Sequence, residues 1–76
     1  MKIDILGTGC PKCEQLASNA RAAIDALGIE ADIVKVTDIV EIADRGVLLT
    51  PALAIDGETK LAGKLATVEE IKSFLS

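Results

Sequence analysis

Histidine, tryptophan and tyrosine are missing from this chain, and Phe74 is its one aromatic residue. Without histidine there is no Cys–His dyad of the protease type, in which an imidazole activates the thiol. A structural zinc ion takes four nitrogen, sulfur or oxygen ligands, and a chain with two cysteines and no histidine cannot supply a usual set alone. Such a site would need Cys10 and Cys13 from each subunit of a dimer, an arrangement that could also hold an iron–sulfur cluster. No apolar run approaches the length that spans a bilayer, so no membrane partner is expected. Met1-Lys2 leads straight into a short strand pattern, without the apolar core of a signal peptide. The eight Lys and Arg are dispersed and the net charge is −4, which argues against nucleic acid or an anionic membrane surface as partner. These features predict a cytoplasmic protein, in a compartment where thiols stay mostly reduced.

What the chain does have is a pair of cysteines, set two residues apart in Thr8-Gly9-Cys10-Pro11-Lys12-Cys13. The pair follows a short apolar strand pattern and precedes a long helical one. A helix N-terminus presents unpaired backbone N–H groups and a partial positive charge. That field favours the thiolate at the first cysteine and makes Cys10 the candidate nucleophile. Cys13, one turn on and on the side of Leu16 and Ala17, is the candidate resolving thiol, which attacks the mixed disulfide and releases the product. As a structural staple the pair would be poor, because closing so short a loop removes little entropy from the unfolded chain. Lys12 has two readings, a charge that supports the Cys10 thiolate or a solvated lysine with a screened effect.

The 76 residues are half apolar, enough for a single domain over residues 1–76 with a core of Ile, Leu, Val and Ala. Residues 2–6 alternate polar and apolar and predict a strand with Asp4 on its solvent side. Gly7-Thr8-Gly9 reads as a flexible turn in which both glycines are free to take positive φ. A helix then starts with Cys10 near the N-cap and Pro11 at the first helical position, where a missing N–H costs nothing. Leu16, Ala17, Ala20, Ala23, Ile24 and Leu27 give it one apolar face, and Gly28 stops it. Residues 30–36 predict a second strand. Asp38 and Glu41 form a capping box for a short helix that Gly46 ends. Residues 52–55 predict a strand with Pro51 at its start, one of the few places a strand admits proline. Asp56-Gly57 marks a hairpin turn, with residues 59–62 as the partner strand and Gly63 as its break. Thr67 and Glu70 cap a last helix whose Val68, Ile71, Phe74 and Leu75 face inward. Strand–helix–strand at the start implies a parallel pair with a right-handed crossover. Val47, Leu48 and Leu49 form either an apolar docking patch or core, and at least one is expected to be buried.

The order βαβαββα, the C-x-x-C opening the first long helix, and Gly46-Val47-Leu48-Leu49-Thr50-Pro51-Ala52-Leu53 in the second half together resemble the thioredoxin-like fold. The particular likeness is to the small glutaredoxin-like thioredoxins, or redox-active disulfide proteins, and it covers essentially the whole chain. It implies a four-stranded mixed sheet flanked by three helices. It further implies a cis peptide bond before Pro51, with the Thr50 backbone free to pair with an extended substrate, and Pro11 and Lys12 in supporting positions. Thioredoxins also place a buried, proton-handling acid where Asp4 stands, although strand alternation points Asp4 to solvent. Three positions depart from the pattern. Gly9 replaces the tryptophan before the first cysteine, so the docking surface differs. Lys12 stands where glutathione-binding glutaredoxins carry tyrosine, and Gly63-Lys64-Leu65 where they carry Gly-Gly and acids. The implied electron donor is therefore a thioredoxin-reductase-type flavoprotein rather than glutathione.

A rival reading is a thiolate carrier of Cu(I) or zinc, since C-x-x-C on a loop before a helix also binds soft metals. Such carriers usually have methionine two residues before the first cysteine and end in a strand. Here Thr8 holds that position, the last element is helical, and Pro11 fits the redox family better. The sequence therefore predicts a monomeric protein-disulfide oxidoreductase. It would cycle Cys10 and Cys13 against a disulfide-containing client protein, with no bound cofactor or metal.

Overall fold

The computed structural model describes residues 1–9 and 11–75. Its elements run β1 (Lys2–Leu6), α1 (Pro11–Leu27), β2 (Asp32–Val36), α2 (Ile39–Asp44), β3 (Ala52–Ile55), β4 (Glu58–Ala62) and α3 (Val68–Leu75). This is the expected βαβαββα order of a thioredoxin-like α/β fold. The four strands form one mixed sheet in the order β2-β1-β3-β4. β1 and β2 are parallel, while β3 runs antiparallel to both β1 and β4. Among the described residues, no helix is long and apolar enough to cross a membrane.

Local signals explain most element boundaries. Gly28 has a φ of 64°, a left-handed conformation that suits glycine. There its N–H donates to the Asp25 carbonyl while the Ile29 N–H donates to that of Ile24, the paired bonds that close a helix C-terminus. The Asp38 carboxylate accepts from the Val40 N–H at 2.9 Å and caps α2. Thr67 and Glu70 cap α3 reciprocally: Oγ1 accepts from the Glu70 N–H at 3.1 Å and Oε1 from the Thr67 N–H at 3.2 Å. Asp56 and Gly57 both take positive φ, the requirement of a tight two-residue hairpin, so β4 begins at Glu58 rather than at residue 59. β2 begins at Asp32 rather than at residue 30, because β1 offers its first partner at Lys2, opposite Asp32.

The sheet is covered on both faces. Ile3, Ile5, Leu53 and Ile55 pack with Leu16, Ala20, Ala23 and Ile24 of α1 and Ile71 of α3. On the other face, Leu6, Ala52 and Ala54 pack with Val36, Ile42 of α2 and Val47. This second layer corrects the expectation for Asp4, which is 1 % exposed rather than solvent-facing. Alternation would expose Asp4 only if that face of β1 were open, and α2 closes it. Arg45, at the end of α2, reaches over and donates to Asp4 Oδ2 at 2.7 Å. Asp4 Oδ1 has no hydrogen-bond partner among the described residues and faces Lys2 Nζ at 3.9 Å.

A buried carboxylate stripped of its cation is costly, whereas a neutral isostere in its place is not. Arg45→Met should therefore cost about 2–3 kcal/mol in urea unfolding, below the usual range for a fully buried pair because Arg45 is partly exposed. Asp4→Asn in the same chain should restore part of that loss. Separately, hydrogen bonds from Lys64 and from the Thr67 backbone hold the Glu70 carboxyl below its ordinary value of 4.5. A lowered carboxylate contributes stability that is full above the unfolded value and lost as pH falls through the folded one. The urea midpoint of Glu70→Gln should lie below that of the parent protein at pH 6, and the gap should close as the pH drops below 4.5.

Candidate active site

The site is built where the C-terminal end of β1 passes into α1. At that junction the Gly7 N–H donates to the Val36 carbonyl at 2.9 Å and ties the turn to the end of β2. Pro11 opens α1 and, like Lys12, is exposed. Cys13 is the third residue of α1 and is 4 % exposed, on the buried side with Leu16 as its spacing predicts. Cys10 lies outside the described residues.

The turn differs from its expectation in one respect. Gly9 has a φ of 87°, but Gly7 is not among the positive-φ glycines. Gly7 is glycine for a steric reason. A Cβ there would overlap the Cys13 Sγ and would come within 3.3 Å of Cys13 Cβ and 3.8 Å of Thr50 Cβ. Cys13 and Thr50 thus both border the bare backbone of Gly7. Glycine spacing alone could not reveal this contact, because it joins residues from three separate segments.

The Thr50–Pro51 peptide bond is cis. Thr50 is exposed and Pro51 is buried. The Pro51 carbonyl accepts from the Gly63 N–H at 2.9 Å, and Leu49 lies against Gly63, with its Cβ 2.8 Å from where a Gly63 Cβ would stand. Of the three residues read as patch or core, Val47 is buried, whereas Leu48 is 90 % exposed and Leu49 largely so. Ile39 and Val40, in the first turn of α2, are exposed as well. A groove of about 340 Å³ runs between these segments, lined by Thr8, Ile39, Ile42, Val47, Leu48 and Thr50 among others. The place of Ile39 and Val40 beside the site was not read from the sequence. The available signal was two adjacent apolar residues directly after the Asp38 cap, more than a short helix with one buried residue needs.

The arrangement is suited to thiol chemistry. Cys13 lies in the first turn of a 17-residue helix and is buried, the place of a thiol that acts inside the protein rather than on solvent. An exposed backbone segment ending in Thr50 stands beside it, available to an extended chain. Among the described residues, no group of three or more acidic or cysteine side chains is arranged to hold a metal ion.

The comparisons agree over the full length. A family model described as a thioredoxin domain matches residues 1–76. A thioredoxin of Methanothermobacter thermautotrophicus is 47 % identical over 76 residues, covering 100 % of this chain and 99 % of the relative. A thioredoxin of Methanocaldococcus jannaschii is 52 % identical over 73 residues, covering 96 % and 84 % respectively. With this sheet topology, a family model matching residues 1–76 and relatives about half identical over most of their length, the chain belongs to the thioredoxin-domain family and is a thiol–disulfide oxidoreductase of thioredoxin-like fold.

Proposed function

We propose that Cys10 and Cys13 are the redox pair and that the substrate is a disulfide in a client protein. The observation that carries this reading is that the buried Cys13 and Thr50, the residue before Pro51, both border the bare backbone of Gly7. In the first step the Cys10 thiolate attacks one sulfur of the client disulfide. That bond breaks, a Cys10–client mixed disulfide forms, and the departing client sulfur leaves as a thiolate that takes a proton. In the second step the Cys13 thiolate attacks the Cys10 sulfur. The Cys10–Cys13 disulfide forms, the second client sulfur leaves, and two electrons have passed from protein to client. A thioredoxin-reductase-type flavoprotein then returns the pair to the dithiol.

Thr50 and Pro51 supply the backbone shelf for the client strand, while Pro11 and Lys12 hold the helix start and add positive charge near Cys10. The exposed side chains of Leu48, Leu49, Ile39 and Val40 suit a client with apolar residues beside its disulfide. In this reading residues 1–76 act as one domain, as a monomer in the cytoplasm and without a bound cofactor.

Cys10→Ser should abolish turnover, and Cys13→Ser should accumulate the mixed disulfide, visible by mass after acid quenching. A redox titration with alkylation should give a reversible two-electron transition within roughly −120 to −280 mV. Metal retained through that titration, with no Cys10–Cys13 disulfide formed, would instead indicate a thiolate metal carrier. Leu48→Ser should raise KM for a protein disulfide by about tenfold at most, the value of roughly 1.5 kcal/mol of lost apolar contact. The same change should leave turnover of a small aromatic disulfide nearly unaltered.

A further inference from the structure

We infer that Gly7 is a positioning residue for the second half of the reaction: its missing side chain is the seat of the Cys13 sulfur. This rests on Cys13 being the resolving thiol. Three observations converge on it. The space that a Cβ on Gly7 would take is already occupied by the Cys13 Sγ, with Cys13 Cβ and Thr50 Cβ just beyond. The backbone of Gly7 is anchored, because its N–H donates to the Val36 carbonyl at the end of β2. And its φ lies outside the positive range, so an alanine would fit the backbone here and act through its methyl group alone.

The consequence falls on one step. Resolution needs the Cys13 sulfur to approach the Cys10 sulfur in line with the bond that breaks. Cys13 cannot retreat freely from a methyl group at residue 7, because it is 4 % exposed and lies on a helix face packed into the core. The sulfur must turn to another rotamer or carry the helix start with it. Either shift misplaces the resolving nucleophile, and misplacement of about 1 Å is enough to cost one to two orders of magnitude in rate. Attack by Cys10 on a small external disulfide does not use the Cys13 sulfur, the one atom that a methyl group on Gly7 would overlap. Thus Gly7 acts on resolution and not on first attack.

The reduced protein is mixed with one equivalent of an aromatic disulfide whose thiolate product is coloured. First attack releases one coloured thiolate and leaves its partner bound to Cys10. Resolution by Cys13 releases the second, forms the Cys10–Cys13 disulfide, and puts the thiol protons into the buffer. In Gly7→Ala the first phase should stay within about twofold of the parent, and the second should slow by about tenfold or more. Gly28→Ala, strained at a φ of 64° and remote from the cysteines, serves as the destabilised control and should change neither phase. A second phase in Gly7→Ala as fast as in the parent would overturn the inference. If the parent itself releases only one thiolate, the Cys10–Cys13 pair is wrong and this inference falls with it, a result distinct from failure at Gly7 alone. Should Gly7→Ala fail to fold, Gly7→Ala/Cys13→Ala decides: recovery of folding once the sulfur is gone supports the seat, and continued failure overturns it.

Discussion

β1 has protein on every side. β2 and β3 pair with its two edges, α1 and α3 cover one face, and α2 covers the other. Enclosure on this scale leaves no room for solvent at any position from Ile3 to Leu6. It is achieved without aromatic bulk, in two thin layers of Ile, Leu, Val and Ala. Small side chains at Ala20, Ala23, Ala52 and Ala54, all fully buried, let the helices approach the sheet closely, which compensates for the lack of large rings. The enclosed strand then delivers its C-terminal end, with Gly7, to the start of α1. The place of the turn is therefore set by this enclosed strand of the sheet, an arrangement suited to chemistry that depends on sulfur positions.

Local features were legible in the sequence, and long-range ones were not. Pro11, Gly28, Asp38, Gly46, Asp56-Gly57 and the Thr67–Glu70 box each act within a few residues, so each marked its boundary before any fold was known. The cis bond at Thr50–Pro51 and the buried side of Cys13 were also anticipated, the first from family resemblance and the second from helical spacing. Asp4 was misjudged because alternation reports which side of a strand a residue is on, not whether that side is covered. Its cover comes from α2, and its partner, Arg45, is 41 residues away. Gly7 was misread for a similar reason. A glycine needed for a backbone angle and a glycine needed for space look alike in a sequence, and only the contact with Cys13 separates them.

The surface around the reactive turn is apolar where the rest of the protein is strongly charged. Ile39 and Leu48 line one groove there, and Val40 and Leu49, next to them in the chain, are exposed as well. No tryptophan stands before the first cysteine to fill that space. In the proposed reading, recognition would rest on aliphatic contact and on the backbone at Thr50.

The pairing of β1 with β3 joins residues roughly fifty positions apart in the chain, and contacts of that separation form late and slowly. The cysteines belong to the first fifth of the sequence, whereas Thr50 comes to Gly7, which borders Cys13, only when β3 has docked. A growing or partly folded chain thus carries its thiols well before it owns the shelf on which a client would lie. Two halves of one tool are made at different times, and the sheet's longest-range pairing is the event that unites them. Until then the chain is a bearer of reactive sulfur without a means of choosing what to do with it.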